Sequence, residues 1–511
     1  MTARVYIVGA GPGDPGLISV RGRQCLERAE VVVYDHRVHA RLLRMAPPSA
    51  ERIDVGASAP KPLDQDAISY LLAEKAGEGK TVVRLKWGDP FVFDSAGKEA
   101  LFLHEQRIPF EVVPGVPVGI AGPAYAGVPI TYPGAGDAVV LVRGNEAETD
   151  APPHVDWGHL AALRATIVCY AGARQVGAIS RALVAHGTPA AESVVLVYDP
   201  TTPSQRTMQG TVGDIEHQAL VDTPALMIVG PVAGLRDHLR WFDRRPLFGR
   251  RIVVTRSSEQ ASELVRMLEE LGAETIAVPT IRILPAEDQQ AIEDACDASE
   301  TYDWIVFTSI NGVEHFMTRF LAHRDIRDLK GVRICAVGAA TTAGIERYGI
   351  RVDMTPPEYR SEAIVATLLE REDLSGKRVL LPRADIAREI LADELRKAGA
   401  EVIELATYRS VAAAEGSTPD VYRMLLDRQI DAVTFSSAST VRNFAQLLGA
   451  DQAADLLRTT TVAAIGPVTA EAAQQLGIAT TVMPDTYTIP SLVEALVLHF
   501  RDHPETLSVP S

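Results

Sequence analysis

The chain has 511 residues, 47% of them apolar and 23% charged, a globular composition that excludes wholesale disorder. At roughly 100–200 residues per domain it is too long for one ordinary domain. A formal net charge of −16, from 66 acids against 50 bases, argues against the basic face of a nucleic-acid binder, and no apolar run approaches the roughly 18 residues of a membrane span.

The predicted elements alternate along the whole chain. Short Val/Ile-rich runs end in Gly-rich turns and lead into helical segments: Val5–Val8, Val31–Tyr34, Thr81–Leu85, Thr166–Cys169, Val194–Tyr198, Ile252–Thr255, Trp304–Thr308, Val332–Val337, Val379–Pro382, Ala432–Phe435 and Val462–Ile465. The fold class is α/β, with mostly parallel sheets buried on both faces. Ligands on such sheets bind beyond the carboxyl ends of the strands. Arg4 to Val8 already reads as a strand, so no signal peptide is expected. Cys25, Cys169, Cys296 and Cys335 lie far apart without a CxxC pair. They suit neither a disulfide framework nor a zinc site, so the expectation is a cytoplasmic protein without metal.

Asp237 to Gly249 is charged, aromatic and Pro-containing, and a new strand follows it. We expect domains at 1–240 and 249–505, with a linker at 241–248. A surface loop is expected from Glu146 to Trp157. The second half carries an internal repeat: Asp303–Val313 recurs as Asp431–Val441, and Val337–Thr341 as Ile465–Thr469, both 128 positions later. That period implies two copies of one α/β domain with a cleft between them, a common ligand site.

In the first half Gly9-Ala10-Gly11-Pro12-Gly13-Asp14-Pro15-Gly16 follows a strand. Alone it is either a tight turn or a ligand loop, since it lacks the third glycine of the dinucleotide fingerprint. Tyr34-Asp35, the stretch Val82 to Phe93 with its Gly88-Asp89-Pro90 turn, Pro109 to Val116 and Ala124 to Thr131 accompany it in order. Together these segments resemble the tetrapyrrole methylase family, closest to S-adenosylmethionine-dependent uroporphyrinogen III C-methyltransferases, over about residues 4–243. The resemblance implies two α/β lobes, a homodimer formed through this domain, and S-adenosylmethionine between the lobes. It assigns cofactor contact to Pro12, Trp87, Gly88, Asp89, Val92, Pro117, Val118 and Ala171. Asp35 matches the family's proposed catalytic acid, which removes a proton after methyl transfer; its other reading is a helix N-cap.

The chain departs from that pattern at several places. Ala57 replaces a Lys, Trp87 a Gly, and Ser95 an Arg suited to substrate carboxylates. Tyr132-Pro133 replaces His-Arg, Asn145 a His, and Ala171 a Met. These changes open a second reading, in which the first half is a degenerate module for dimerisation or acts on another tetrapyrrole.

In the second half hydroxyls gather at strand ends: Thr308-Ser309-Ile310-Asn311, Thr341-Thr342, Ser436-Ser437 and Thr469, with Arg256, Arg383, Arg388 and Arg442 nearby. Hydroxyls, helix N-termini and arginines are what a polycarboxylate needs. Singly, each Ser or Thr also reads as a helix cap, and the arginines as surface residues. No nucleophilic dyad appears, and His315, His323, His499 and His503 are expected in solvent.

Val254 to Arg256, Val306 to Val313, Ala336 to Thr341, Leu380 to Ala384, Thr407 to Arg409, Thr434 to Ser437 and Ala464 to Ala470 resemble uroporphyrinogen-III synthase over about 249–500. The resemblance implies two flavodoxin-like lobes on a two-stranded connection, one from about 249–284 plus 411–505 and one from about 285–410. It implies cyclisation of hydroxymethylbilane with inversion of ring D through a spiro intermediate, without a cofactor. Tyr408 matches the Tyr that assists loss of hydroxide; otherwise it is a half-buried strand aromatic. Arg256, Ser309, Asn311, Thr341, Arg383, Ser436, Ser437 and Thr469 are the expected substrate contacts. The whole then reads as a fusion whose second half makes the usual substrate of its first. Synthase activity alone, or a non-catalytic tetrapyrrole-binding protein, are the rival readings.

Overall fold

The computed structural model describes residues 5–504, apart from 36, 57–58, 60–61, 145–150, 173, 221–222, 256–261, 279–280, 357–360, 385–389, 413–420 and 450–451. By compactness the chain divides into two units. One comprises 1–252, 266–275 and 497–511; the other comprises 253–265 and 276–496.

The first unit holds two sheets. Strands β1 (Val5–Gly9), β2 (Val31–Tyr34), β3 (Glu51–Asp54), β4 (Val82–Lys86) and β5 (Phe110–Val113) form an all-parallel sheet in the order β3-β2-β4-β1-β5. Alternate residues of its central strands feed two separate cores. Val8, Val32, Val83 and Leu85 face one layer of helices, and Val5, Ile7, Val31, Val33 and Val82 face the other. That is why these strands read as unbroken apolar runs. The chain leaves β1 toward one edge and β4 toward the other, so the two loops meet where the strand order reverses. The second sheet is mixed: β6 (Val139–Arg143), β7 (Thr166–Ala171), β8 (Ser193–Tyr198), β9 (Arg206–Thr211) and β10 (Ala225–Val229) run in the order β6-β7-β10-β8-β9. Only β6 and β7 pair in parallel there.

The stretch expected as a linker is packed. Phe242 and Leu247 are buried. Trp241 donates its indole N–H to the Ala124 carbonyl, Arg236 pairs with Asp243, and Tyr125, Trp241, Phe242 and Phe248 form a chain of edge-on rings.

In the second half, β11 (Arg251–Val254), β12 (Glu274–Ala277), β18 (Ala432–Phe435) and β19 (Thr461–Ala464) form one sheet, in the order β12-β11-β18-β19. The other contains β13 (Ile281–Pro285), β14 (Trp304–Phe307), β15 (Arg333–Ala336), β16 (Arg378–Ala384) and β17 (Glu401–Ala412), in the order β13-β17-β16-β14-β15. β13 and β17 are antiparallel and the remaining pairs of this sheet parallel. The repeat is visible bond by bond. Met354 bridges Cys335 as Val482 bridges Ala463, and the Val337 N–H reaches the Phe307 carbonyl as that of Ile465 reaches Phe435. Every partner lies 128 positions from its counterpart.

One buried charge cluster underlies the carboxyl end of β4. Arg84, Lys86 and Glu99 are each at most 2% exposed. Glu99 Oε1 accepts from Gln65 at 3.1 Å, Lys86 at 3.2 Å and Arg84 at 3.4 Å, while its Oε2 has no hydrogen-bond partner. Burial alone would raise the Glu99 carboxyl, but Arg84 and Lys86 outweigh it and hold that carboxyl below the ordinary glutamate range. Its charge therefore contributes stability above the unfolded glutamate pKa, and that contribution is lost as pH falls through the lower folded value. Glu99→Gln is expected to cost about 3–5 kcal/mol at neutral pH. In urea titrations the gap between wild type and variant should close on acidification; a gap independent of pH would contradict the charge assignment.

Candidate functional site

In the first unit the site is built from backbone. A Cβ on Gly9 would lie 2.4 Å from the Gly115 nitrogen and 2.8 Å from the Gly88 oxygen, and one on Gly115 would lie 2.2 Å from that same oxygen. The loops after β1, β4 and β5 thus touch where no side chain fits. Gly11 and Gly88, with φ of +79° and +70°, exchange both backbone hydrogen bonds, at 3.2 and 2.8 Å. Asp89 ties the third loop in, accepting from Phe91 N at 2.8 Å and Gly115 N at 3.0 Å.

Around this junction the structure gathers the residues expected at the cofactor. Pro12 is buried, and the Trp87 indole N–H donates to its carbonyl at 2.8 Å. The ring that stands where the family carries glycine is thus bonded to the loop. Pro117 caps the helix Val118–Tyr125, and Val118 Cγ2 would lie 3.4 Å from a Cβ on Gly88. Gly119 N donates to the Tyr170 hydroxyl at 2.7 Å, which brings in Ala171 at the end of β7. Val92 is half-buried, and its N–H reaches the Asp89 carbonyl at 3.3 Å.

Asp35 follows β2 and does not cap a helix; His39 caps the helix Ala40–Leu43. The Asp35 carboxylate instead receives both bonds of a forked contact from Arg84 Nη2, at 3.0 and 3.2 Å. Arg84 is 1% exposed at its side chain and Asp35 27%, so a buried cation aims a partly open carboxylate. At position 95 the missing arginine is a serine whose Oγ accepts from Lys86 Nζ at 3.1 Å, and Lys86 also pairs with Asp94 at 2.6 Å.

In the second unit Tyr408 lies on β17 beside a register shift, opposite Ala384. It is 8% exposed, and its hydroxyl is 3.0 Å from Ser309 Oγ. Ser309 caps the helix Ile310–His323, accepting from Gly312 N at 3.1 Å. Asn311, half-buried, sits in the first turn of that helix. Ser437 caps the helix Ala438–Leu448 in the other copy, and Ser436, half-buried, precedes it. Thr341 and Thr469 occupy the same third position of their helices, 6% and 4% exposed, after extended cap residues Gly338 and Gly466. Hence the cap reading is correct for Ser309 and Ser437, and each of these hydroxyls follows the end of a strand.

Arg383 pairs with Glu404 at 2.7 Å. Arg256, Ala57, Asn145 and Arg388 lie outside the described residues. His315 is not in open solvent: it is half-buried, and its ring stacks on Tyr408 at 5.7 Å between centroids. Arg84 was also absent from the sequence reading, although a charge inside an apolar strand such as Val82–Lys86 demands a buried partner. Burial pushes the thiols of Cys169 and Cys335 up to about 12 and that of Cys296 to about 11, so none is a reactive thiolate.

Comparison with known proteins gives two family matches, one in each half. Residues 4–216 match the family of Tetrapyrrole (Corrin/Porphyrin) Methylases, and residues 262–494 match Uroporphyrinogen-III synthase HemD. The Porphyrin biosynthesis protein HemD of Ruminiclostridium josui is 34% identical over 499 residues, covering 96% of this chain and 97% of its own. The Uroporphyrinogen-III C-methyltransferase of Bacillus subtilis (strain 168) is 33% identical over 71% of this chain and 75% of its own. A solved uroporphyrin-III C-methyl transferase from Thermus thermophilus, complexed with S-adenyl homocysteine, is 34% identical over 46% of this chain and all of its own, with a TM-score of 0.39. The chain belongs to the HemD porphyrin biosynthesis family, as an enzyme in which a tetrapyrrole methylase domain is fused to a uroporphyrinogen-III synthase domain.

Proposed function

We propose that the second half, about 249–505, cyclises hydroxymethylbilane to uroporphyrinogen III, and that the first, about 1–240, methylates that product toward precorrin-2. The observation that carries the synthase reading is the Tyr408 hydroxyl held on Ser309 at the start of a helix. With the serine donating to the phenol oxygen, the phenolic proton stays free. Tyr408 then gives it to the departing hydroxyl, which leaves as water, and recovers a proton when ring closure releases one. Ser309, Asn311, Thr341, Ser436, Ser437 and Thr469 bind acetate and propionate groups, with Arg256 and Arg383 as the cations. Shaping the linear substrate is the larger contribution, since it also closes unaided to the type I isomer.

For the first half we infer S-adenosylmethionine as cofactor, held by Pro12, Trp87, Gly88, Asp89, Val92, Pro117, Val118 and Ala171. The interlocked loops of Gly9, Gly88 and Gly115 leave peptide groups, small apolar side chains and one indole around the junction. That lining suits an adenosyl group and a sulfonium. When bound, the cofactor supplies an electrophilic methyl group. Asp35, aimed by Arg84, takes the proton that the methylated ring releases. We further propose a cytoplasmic homodimer assembled through this domain. Among the described residues no helix is long and apolar enough to cross a membrane.

Ser95, where the family carries Arg, favours the second reading, in which the methylase domain no longer acts on uroporphyrinogen III. Full-length protein given hydroxymethylbilane and methyl-labelled S-adenosylmethionine separates the two: labelled dimethylated product supports both activities, and unlabelled type III isomer the synthase alone.

Tyr408→Phe is expected to slow formation of the type III isomer by about a hundredfold in a coupled assay; unchanged turnover would remove Tyr408 from the mechanism. Asp89→Ala cuts the tie between two loops and should weaken S-adenosylhomocysteine binding about tenfold by calorimetry. Equal affinity in variant and wild type would mean that Asp89 does not organise the pocket.

A further inference from the structure

We propose that Arg37 is the carboxylate-binding cation of the methylase site, mounted on Trp87 and reading an acidic side chain at the rim of the tetrapyrrole beside Asp35. The inference rests on the methylase reading above and names a residue that reading does not use. β2 and β4 are parallel neighbours, with Tyr34, the last residue of β2, in register with Leu85, the last but one of β4. The turns that follow therefore put Arg37 and Trp87 side by side at the end of the sheet where ligands bind. The Arg37 guanidinium lies 4.9 Å from the centre of the Trp87 ring. Trp87 cannot swing away freely, because its N–H is bonded to Pro12.

Charge accounting sets Arg37 apart from its neighbours. Arg84 is engaged by Asp35 and Glu99, and Lys86 by Asp94 and Glu99. Among the described residues no carboxylate lies within ion-pair distance of Arg37, and the residue is exposed. A guanidinium lying on an aromatic face keeps its N–H groups directed outward in its own plane, ready for a forked carboxylate contact. Asp35 does not quench it, since both Asp35 oxygens are taken by Arg84. Ser95, by contrast, offers only a hydroxyl already bonded to Lys86. Trp87 and Arg37 together thus supply at β2 and β4 the cation that position 95 lacks.

The test uses the full-length chain, with uroporphyrin III as an octacarboxylate probe and S-adenosylhomocysteine as the cofactor probe. Wild type saturated with S-adenosylhomocysteine should bind uroporphyrin at two classes of site. Arg37→Glu should weaken one class about tenfold or more and leave the other, and the S-adenosylhomocysteine affinity, unchanged. Arg37→Lys, which keeps the charge but not the flat fork, should fall between. Both classes intact in Arg37→Glu would overturn the proposal while leaving the methylase reading standing. Loss of S-adenosylhomocysteine binding in that variant would overturn it too, by showing that Arg37 acts on the Pro12 loop. A wild type that binds neither S-adenosylhomocysteine nor a second porphyrin would sink the methylase reading and this proposal together.

Discussion

Three glycines in mutual backbone contact set the geometry of the first half. Gly9, Gly88 and Gly115 end or follow three parallel strands, and a methyl group on Gly9 or Gly115 would overlap the neighbouring backbone. With no side chains between them, the three loops approach as closely as peptide groups allow. Asp89 and the Trp87 indole then fix the loops in place. Beneath them, Arg84 and Lys86 stand inside the sheet because Glu99, Asp35 and Asp94 meet their charges. The buried cluster and the open site are thus one construction. Arg84, which is buried in the sheet, also holds the partly exposed Asp35 carboxylate at its end.

The second half solves a related problem by duplication. Its two copies place a serine at the N-cap of one helix and a buried threonine in the first turn of a later helix, 32 positions on in each copy. Identical hydrogen bonds recur in both, so the copies share strand register as well as topology. They differ where chemistry is proposed. Tyr408 lies at the register shift of a twelve-residue strand, packed between Ser309 and the His315 ring. A symmetric frame carrying an asymmetric aromatic suits a reaction that inverts one ring of four.

Much of this was legible in the sequence because the strands are buried on both faces. Runs such as Val31–Tyr34 and Ala432–Phe435 admit few other readings, and the 128-residue offset carried the second half's architecture. Strands with polar, exposed faces were not legible. Glu51–Asp54 sits at a sheet edge and shows no apolar run. Nor was the packing of 241–248, since charge and proline describe a linker and a capped aromatic cluster equally well. Contacts between distant residues were least accessible. Nothing local to Arg37 points to Trp87, nor anything near His315 to Tyr408; the residues of each pair lie 50 and 93 positions apart, and the order of strands in the sheets brings them together.

The departures at 87 and 95, with Asp94 beside the second, bear on whether the methylase domain is a remnant. Loss of function without constraint removes partners and leaves buried charges unmatched, at a cost of several kcal/mol each. Here the replaced groups are integrated. Asp94 pairs with Lys86 and accepts from Ala96 N at the start of the next helix, Ser95 accepts from Lys86, and Trp87 bonds Pro12. Within the cluster only Glu99 Oε2 lacks a partner. The altered positions are thus bonded into the glycine loop and the charges beneath it.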